Sequence, residues 1–310
     1  MSVVPAQVAG DMTESRHGGR GSLLDRESTL AYLFMLPGAL ILLLFMAYPF
    51  GLGIYLSLTD KAVGVRNFDF VGLANYQYLL RDDIFRKTVV NTFTYGFATV
   101  PFKLLLGLGL ALTLNQAFRF SRVMRAGLLL PFIVPTAISS LAWLMLFDSS
   151  LSPITWVLRD WGLIDGKINF LGTRLNAMTS LCVANIWRGL PFFAVTILAG
   201  LQAVPQDLNE AAALDGASPW QRFFAVTLPV IRNIVLIATL FSIIMTFSDF
   251  QLIYVLTKGG PANGTHVFGT YAYDTMSYGA LGEAASIALS MFPMLAIFAL
   301  ILLRYVRSDE

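Results

Sequence analysis

The chain has 310 residues, of which 56% are hydrophobic and only 13% are charged, and its mean hydropathy is +0.67. Soluble globular proteins carry about 25% charged residues, so this composition excludes an ordinary water-soluble domain and indicates that lipid is the solvent. The net charge of +2 is too small to favour a nucleic-acid partner. The one cysteine, Cys182, excludes a disulfide within the chain.

The first 28 residues are polar and contain arginines among glycine, serine and acidic residues. We predict that they form a flexible N-terminal tail. The apolar block that follows is too long for the core of a signal peptide, and no small-residue cleavage site closes it. This block is therefore predicted to be retained as the first membrane span.

Six apolar blocks each contain the roughly 20 residues that a helix needs to cross the hydrocarbon core of a bilayer. They lack the alternation of apolar and polar residues that marks the strands of a membrane β-barrel, so helices are favoured. Prolines within or near the blocks predict kinks. The sequence therefore predicts an all-α polytopic membrane protein with one six-helix domain over residues 29–307. The blocks cover residues 30–58, 87–116, 124–147, 178–203, 230–256 and 283–306.

The distribution of basic residues orients the six spans. Lysine and arginine are almost equally frequent on the two sides, so the short loops decide. The loop FRFSRVMR between the second and third spans contains three arginines and no acidic residue, which predicts a cytoplasmic location. Both termini then lie in the cytoplasm, and the loops near residues 59–86, 148–177 and 257–282 face outward.

The stretch NEAAALDGASPWQRFFAVTLP interrupts the apolar pattern between the fourth and fifth spans. Just before it, Pro205 suits the first turn of a short helix, and Gly216 suits a left-handed residue that ends this helix. Ser218 and Gln221 have the spacing of a capping box, which predicts that a second helix begins immediately afterwards. We therefore predict a short, stiff hairpin of two helices on the cytoplasmic side.

The hairpin covers residues 204–229. Its first helix carries three consecutive alanines between Glu210 and Asp215. Small side chains allow another surface to approach the backbone closely. A helix that anchors to a membrane surface usually presents basic residues, and acidic residues avoid an anionic inner leaflet. Docking into a protein partner is therefore favoured over the alternative, a surface helix packed on its own bundle.

The same stretch resembles the EAA loop of the membrane subunits of binding-protein-dependent ABC importers. The family pattern is Glu-Ala-Ala, three residues, Gly, nine residues and Ile-x-Leu-Pro, and this chain departs from it only by Val in place of Ile. The resemblance covers most of residues 30–306. The stretches NIWRGLPFFAVTILAGLQAVPQDLNEAAALDGAS and LIYVLTKGGPANGT resemble the sugar-specific branch, similar to permeases of the maltose and glycerol-3-phosphate type. The matching positions are Glu210, Ala211, Ala212, Gly216, Val226, Leu228 and Pro229.

The resemblance implies a type I ABC importer permease fold with a cytoplasmic coupling-helix hairpin that docks on an ATPase. It also implies a second homologous permease subunit in a heterodimer, two ATP-binding subunits that hold ATP and Mg, and an extracytoplasmic solute-binding protein. The implied location is the bacterial cytoplasmic (inner) membrane, and the implied cargo is a sugar, a polyol or a sugar phosphate. The residues implied to couple transport to the ATPase are Glu210, Ala211, Ala212, Leu214, Asp215 and Gly216.

Three charged residues fall inside the predicted spans, namely Lys103, Arg188 and Asp249. Such residues are costly in lipid, usually face the interior of the bundle, and are functional candidates. Counted at 1.5 Å per residue from the outer surface, Arg188 and Asp249 both lie roughly 10–15 Å deep. We expect them to pair directly or through water, either as a structural ion pair or as a border of the translocation path. For Lys103, a buried structural role or a displaced span boundary is favoured over ligand binding.

Sugars are bound by hydrogen bonds and by stacking on aromatic rings. Residues of both kinds fall in the fourth and fifth spans towards their outer ends, although aromatic residues near a span end also form interfacial belts. The residues predicted to line the substrate path are Asn185, Trp187, Arg188, Asp249, Gln251 and Tyr254.

Several types of site are not indicated by the sequence. The chain lacks the Gly-x-x-x-x-Gly-Lys-Ser/Thr pattern of a P-loop, so it is not expected to hydrolyse ATP or to bind a cofactor itself. No metal cluster or catalytic nucleophile is expected, and His17 and His266 are predicted to be ordinary surface residues. The alternative function is a secondary transporter driven by an ion gradient, which the intramembrane Asp249 would suit. The hairpin argues against that alternative, because such a carrier needs no ATPase docking site.

Overall fold

The computed structural model describes residues 27–116 and 119–307, and within these ranges the chain is helical, with two isolated β-bridges and no strand. The predicted polar tail over residues 1–28 therefore lies almost entirely outside the described residues. The chain divides into two units, the first ending at Leu52 and the second beginning at Gly53. The prediction of a single six-helix domain stays a prediction.

The α-helices of the described residues are labelled α1 to α14 in chain order. Two π-helical segments, Leu43–Ala47 between α1 and α2 and Phe223–Thr227 between α10 and α11, join their neighbours without a break. The helices are Glu27–Leu42 (α1), Tyr48–Ser57 (α2), Ala74–Arg81 (α3), Asp83–Asn115 (α4), Ser121–Ile133 (α5), Thr136–Leu146 (α6), Pro153–Asp160 (α7), Arg174–Gln202 (α8), Gln206–Leu214 (α9), Pro219–Arg222 (α10), Leu228–Phe247 (α11), Gln251–Leu256 (α12), Phe268–Ser277 (α13) and Leu281–Arg307 (α14).

Within the described ranges, five of the predicted spans are present as helices that are long and apolar enough to cross a membrane. They cover Ala31–Ser57, Asp83–Asn115, Arg174–Gln202, Pro219–Leu256 and Leu281–Tyr305. The sixth is present if α5 and α6 are counted together as one bent span. The predicted all-α polytopic fold is thereby confirmed.

The predicted third span over residues 124–147, for which a kink is expected, consists of two helices in the structure. The helix ends at Ile133, turns through 92° and resumes at Thr136. Pro135 explains the break, because a proline ring disfavours helical backbone at the preceding residue, and Val134 is accordingly extended with φ −65° and ψ 127°. The kink expected at a proline is present, but it is sharp enough to end one helix and begin another.

The fifth span also differs from its predicted bounds of residues 230–256. Helix α11 ends at Phe247 and α12 begins at Gln251, so a short break interrupts the span. At its other end the span is longer than predicted, because helical structure continues from Pro219 through the π-helical segment into α11. The break contains Asp249, one of the three charged residues predicted to lie inside the membrane.

Helices α4, α8 and α11 pack against one another in the centre of the second unit. Their shared core contains Phe193 and Ile197 from α8 and Ile231 from α11, all fully buried, together with Ala111 and Leu114 from α4. Because lipid tails are as apolar as these side chains, close packing rather than exclusion from water holds such helices together. This three-helix core positions the polar side chains of the candidate site.

Candidate functional site

The hairpin between α8 and α11 consists of α9, a tight turn and α10. Gly216 has a φ of +81°, a left-handed conformation that glycine adopts without strain, so the predicted stop at this residue is confirmed. The backbone N–H groups of Asp215, Gly216 and Ala217 donate to carbonyl groups of α9 and close its last turn. The prediction that Pro205 lies in the first turn is wrong, because its ψ of 129° is not helical and α9 begins one residue later, at Gln206.

The second hairpin helix begins with the predicted capping box. Ser218 Oγ accepts a hydrogen bond from the backbone N–H of Gln221 at 3.4 Å, and Gln221 Oε1 accepts one from the N–H of Ser218 at 2.8 Å. This helix does not end before the fifth span. The N–H of Leu228 bonds to the carbonyl of Phe223, the spacing of a π-helical turn, and this wider turn accommodates Pro229, which has no N–H to donate. The hairpin is therefore a stiff extension of the fifth span.

The side chains of the hairpin are open to a partner. No residue of α9 or α10 is buried. Leu214 is 90% exposed and Trp220 is 73% exposed, and Trp220 stacks on Phe224 at a ring distance of 6.2 Å. Of the six residues predicted to couple transport to the ATPase, Ala212 is half-buried and the others are exposed. The hairpin therefore presents a rigid surface that combines apolar and acidic side chains.

A group of polar side chains lies where α4, α8 and α11 meet, and we call it the polar cluster. In a bilayer, buried polar groups must satisfy one another's hydrogen bonds, because no bulk water is present to do so. The members are Tyr95 and Lys103 of α4, Asn185 and Arg188 of α8, Thr246 of α11, and Asp249 in the break before α12.

Asp249 is the central acceptor of the polar cluster. Its Oδ2 accepts hydrogen bonds from Arg188 Nη2 at 2.8 Å, Asn185 Nδ2 at 2.8 Å and Tyr95 Oη at 2.9 Å. Asp249 is 6% exposed, and bonds to a charged acceptor are strong enough to offset much of the cost of burying it. The predicted pairing of Arg188 with Asp249 is confirmed as a direct ion pair.

Lys103 forms the other half of the polar cluster. Its Nζ donates to Asn185 Oδ1 at 2.8 Å and to Thr246 Oγ1 at 2.7 Å. Asn185 therefore connects Lys103 to Asp249, because its amide oxygen accepts from Lys103 and its amide nitrogen donates to Asp249. The lysine chain passes over Gly189, where an added Cβ would lie 2.5 Å from Lys103 Cδ, so this close approach requires glycine. Lys103 thus links three helices, which agrees with the structural role predicted for it.

A cavity of about 410 Å³ lies beside the polar cluster. This volume falls within the range of ligand pockets, about 300 to 1,000 Å³, and is large enough for a sugar. Three charged residues, Lys103, Arg188 and Asp249, contribute to its lining. Hydroxyl and amide side chains and phenylalanine rings supply much of the rest, and they include Thr136, Asn185, Ser242, Thr246, Ser248, Gln251, Phe132, Phe192, Phe241 and Phe250.

The cavity brings together most of the residues predicted to line the substrate path. Trp187 and Tyr254 do not border it. Trp187 precedes Arg188 by one residue, so it projects from a different face of α8. Its ring centroid lies 5.7 Å from that of Trp143. Tyr254 stacks on Phe250 at 5.1 Å. A role for these two residues on the path stays a prediction. The predicted residues that border the cavity are Asn185, Arg188, Asp249 and Gln251.

Tyr95 and Thr246 belong to the polar cluster, but hydropathy and motif patterns do not reveal them. A signal exists for Tyr95, because Tyr95, Thr99 and Lys103 are spaced by four residues and share one face of α4. All three are buried, and Thr99 Oγ1 donates to the carbonyl of Tyr95 at 2.7 Å. Thr246 lies three residues before Asp249 and is also buried. Polar residues that repeat at helical spacing near an intramembrane charge are therefore the signal to look for.

His266 is buried, so the prediction that it is an ordinary surface residue is wrong. It lies two residues before α13, and its Nδ1 is 3.2 Å from Thr270 Oγ1 on that helix. Its backbone carbonyl accepts a hydrogen bond from Asn91 Nδ2 at 3.2 Å. Burial lowers the pKa of His266 below its ordinary value, so the neutral ring is favoured. In residues 27–116 and 119–307, no group of three His, Cys, Asp or Glu residues is placed to hold a metal ion.

Comparison with known proteins gives matches to a family, to individual relatives and to solved structures. The family described as "Binding-protein-dependent transport system inner membrane component" matches residues 103–308. The trehalose/maltose transport system permease protein MalF of Thermococcus litoralis is 34% identical over 279 residues, which are 90% of this chain and 94% of that protein. The sulfoquinovosyl glycerol transport system permease protein SmoG of Agrobacterium fabrum is 34% identical over 287 residues, 91% of each chain.

Among solved structures, a bacterial ABC transporter involved in the import of the acidic polysaccharide alginate is similar, with a TM-score of 0.76 and 22% identity. The match covers 90% of this chain and 95% of that chain. At this identity the likeness shows the fold, and the type I importer permease fold predicted from the sequence is confirmed. The family match covers more than half of the chain. The chain therefore belongs to the family of binding-protein-dependent transport system inner membrane components, and it is a membrane permease subunit of an ABC importer.

Proposed function

We propose that this permease subunit carries a sugar, or a related polyol or sugar phosphate, into the cytoplasm along a path that includes the cavity beside the polar cluster. The names of the relatives support this cargo, since they refer to trehalose, maltose and sulfoquinovosyl glycerol. The lining supports it as well, because hydroxyl, amide and charged groups can bond to sugar hydroxyls and phenylalanine rings can contact the apolar face of a sugar. The family gives no support to the alternative of a carrier driven by an ion gradient.

In this proposal the chain works within a larger assembly. It pairs with a second homologous permease as a heterodimer, two ATP-binding subunits dock on the hairpins, and an extracytoplasmic solute-binding protein delivers the cargo. ATP and Mg bind to the ATP-binding subunits, so this chain contributes no catalytic residue. The assembly lies in the bacterial inner membrane with both termini in the cytoplasm. The basic stretch FRFSRVMR, which ends in the first turns of α5, and the description of the matching family support this placement.

The hairpin is the element proposed to transmit the free energy of ATP binding to the path. When the two ATP-binding subunits close on ATP, they draw the hairpins together. Because α10, the π-helical segment and α11 are continuous, a displacement of the hairpin moves α11, which ends one residue after Thr246 at the break in the fifth span. Shifting a two-state equilibrium from 1:99 to 99:1 takes about 5.5 kcal/mol, which a stiff element can transmit and a loose loop cannot. The breaks at Pro135 and Asp249 are points where the spans can bend.

The single observation that carries the proposal is the capped, stiff and exposed hairpin. The variant Ala212→Trp places a large ring in the middle of the proposed docking surface. In proteoliposomes that contain the complete importer, we expect uptake to fall about tenfold or more, equivalent to at least about 1.4 kcal/mol of coupling, while ATP hydrolysis continues. The matched control is Ala126→Trp, an exposed alanine of α5 outside the hairpin, for which uptake close to that of the wild type is expected.

Two results would count against this proposal. Normal uptake by the Ala212→Trp importer would show that the hairpin surface does not couple transport to the ATPase. Uptake that stops when an ionophore collapses ion gradients, with ATP maintained, would favour the ion-driven carrier instead.

A further inference from the structure

The proposed function leaves the charge of the cargo open, and the polar cluster bears on this question. We infer that the substrate carries an anionic group, a carboxylate, phosphate or sulfonate, and that Lys103 is the residue that selects it. This inference rests on the proposed transport function, and it names the class of sugar or polyol that the same cavity takes.

The charged groups around the cavity are unbalanced. Of the residues that line it, those that carry a charge are Lys103, Arg188 and Asp249, so basic groups exceed acidic ones. Asp249 is already paired with Arg188 at 2.8 Å and also accepts hydrogen bonds from Tyr95 and Asn185. The charge of Arg188 is therefore matched within the protein, so protonation of Lys103 gives the site an excess positive charge.

Lys103 has only neutral partners. Its Nζ donates to the amide oxygen of Asn185 and to the hydroxyl of Thr246. Across residues 27–116 and 119–307, no carboxylate oxygen lies within 4.0 Å of this nitrogen. An ammonium group has three N–H donors, so one remains for a ligand. Lys103 is only 3% exposed, yet it lines the cavity, so a ligand there would meet this charge away from bulk solvent.

A buried cation with neutral partners favours an anionic ligand. Charged groups inside the bilayer are costly, and a bound anion offsets that cost by supplying the missing opposite charge. A hydrogen bond between two charged groups is also roughly twice as strong as one between neutral groups. A neutral sugar supplies only neutral acceptors, which Asn185 and Thr246 already provide. The affinity gained from Lys103 is therefore larger for an anionic sugar than for a neutral one.

The competing explanation is that Lys103 is purely structural. It links α4, α8 and α11, and a link of this kind would stabilise the bundle whatever the cargo is. The two explanations predict different results. Removal of a structural link changes stability and affects all ligands alike, whereas removal of a selecting charge changes the relative affinity of charged and neutral ligands.

The test uses the full chain in lipid nanodiscs and three probes with the same ring: D-glucose, D-glucuronate and D-glucose 6-phosphate. Affinity is measured by isothermal titration calorimetry. We expect the wild type to bind at least one anionic probe about tenfold or more tightly than glucose, and Lys103→Gln to reduce this preference to about twofold or less. Lys103→Arg keeps the charge and is expected to keep the preference. Lys87→Gln, an exposed lysine on the same helix, is the matched control and is expected to behave as the wild type.

Several outcomes would overturn the inference. Equal affinity for glucose and both anions, or no detectable binding of either anion by the wild type, would contradict an anionic cargo. A preference that persists in Lys103→Gln would contradict the assignment to Lys103. If gel filtration shows that Lys103→Gln does not fold, the wild-type preference and its retention in Lys103→Arg decide the question. These measurements use no ATP, so a negative result would not contradict the proposed import function. That function would be contradicted if the complete wild-type importer showed no ATP-driven uptake.

Discussion

The contacts that form the hairpin join residues close together in the sequence, whereas those that form the polar cluster join residues far apart in the sequence. In the hairpin, Ser218 and Gln221 cap each other across three positions, and the turn at Gly216 is closed by similarly local hydrogen bonds. In the polar cluster, the partners of Asp249 lie 61 to 154 positions away in the chain. A short motif can therefore specify the proposed docking surface, whereas the geometry of the polar cluster depends on how three helices pack.

This difference has consequences for mutagenesis. The hairpin is exposed, so substitutions there are expected to change coupling and to leave the stability of the spans intact. The members of the polar cluster are buried except for Arg188, which is half-buried, and hydrogen bonds connect all of them, so substitutions there are expected to change stability and transport together. Variants of the two regions, compared by unfolding temperature and by uptake, test this distinction.

The largest effect is expected from the ion pair at the centre of the polar cluster. Asp249→Arg or Arg188→Asp leaves like charges facing each other in a buried site, and loss of a buried pair costs about 3 to 5 kcal/mol. We expect each single variant to unfold at a markedly lower temperature in detergent and to lose uptake. The double variant restores opposite charges and is expected to recover part of both. A double variant no better than either single variant would show that the pair is not the source of the effect.

A smaller effect is expected where the lysine chain crosses α8. In Gly189→Ala the new Cβ lies 2.5 Å from Lys103 Cδ, so the lysine or the helix must move, and overpacking of this kind costs about 1 to 3 kcal/mol. The expected result is a lower unfolding temperature with reduced uptake. Gly109→Ala is the matched control, because nothing lies within 4 Å of its added Cβ. Equal unfolding temperatures for the two variants would contradict the close passage of Lys103 over α8.

The smallest effect on the spans is expected from the hairpin cap. Ser218→Ala removes the side-chain acceptor of the capping box, a local cost of about 1 kcal/mol. We expect uptake per ATP hydrolysed to decline while the unfolding temperature of the spans does not change. Ser218→Asn retains a capping side chain and is expected to match the wild type. A clear drop in the unfolding temperature of Ser218→Ala would mean that the hairpin is part of the packed bundle, contrary to its exposure.

The range of the contacts also explains how far the sequence predicts the structure. The turn at Gly216, the capping box at Ser218 and five of the spans depend on neighbouring residues and on hydropathy, and all of them are readable in the sequence. The break after Phe247 is not, because the residues around it have no proline and their helix-breaking tendency is weak. Pro135 predicts a kink, but a proline does not show how far the chain will turn.

The polar cluster is partly readable in the sequence. Arg188 and Asp249 stand out because a charge in a span is rare, and their similar depth predicts that they pair. Tyr95 is marked only by its helical spacing to Thr99 and Lys103, and Thr246 only by its position three residues before Asp249. Their roles arise only when α4 and α11 meet. The bridge that Asn185 makes between Lys103 and Asp249 depends on the rotation of each helix about its axis, which hydropathy does not determine.

The central claim is that the hairpin docks on an ATP-binding subunit, and crosslinking from Leu214 tests it most directly. Leu214→Cys, in a Cys182→Ser background that removes the buried native cysteine, places a reactive thiol at a position that is 90% exposed. A bifunctional crosslinker applied to membranes that contain the complete importer is expected to join this chain to the subunit that carries the P-loop. Labelling of the same cysteine in intact cells by a membrane-impermeant thiol reagent, without such a crosslink, would contradict the account.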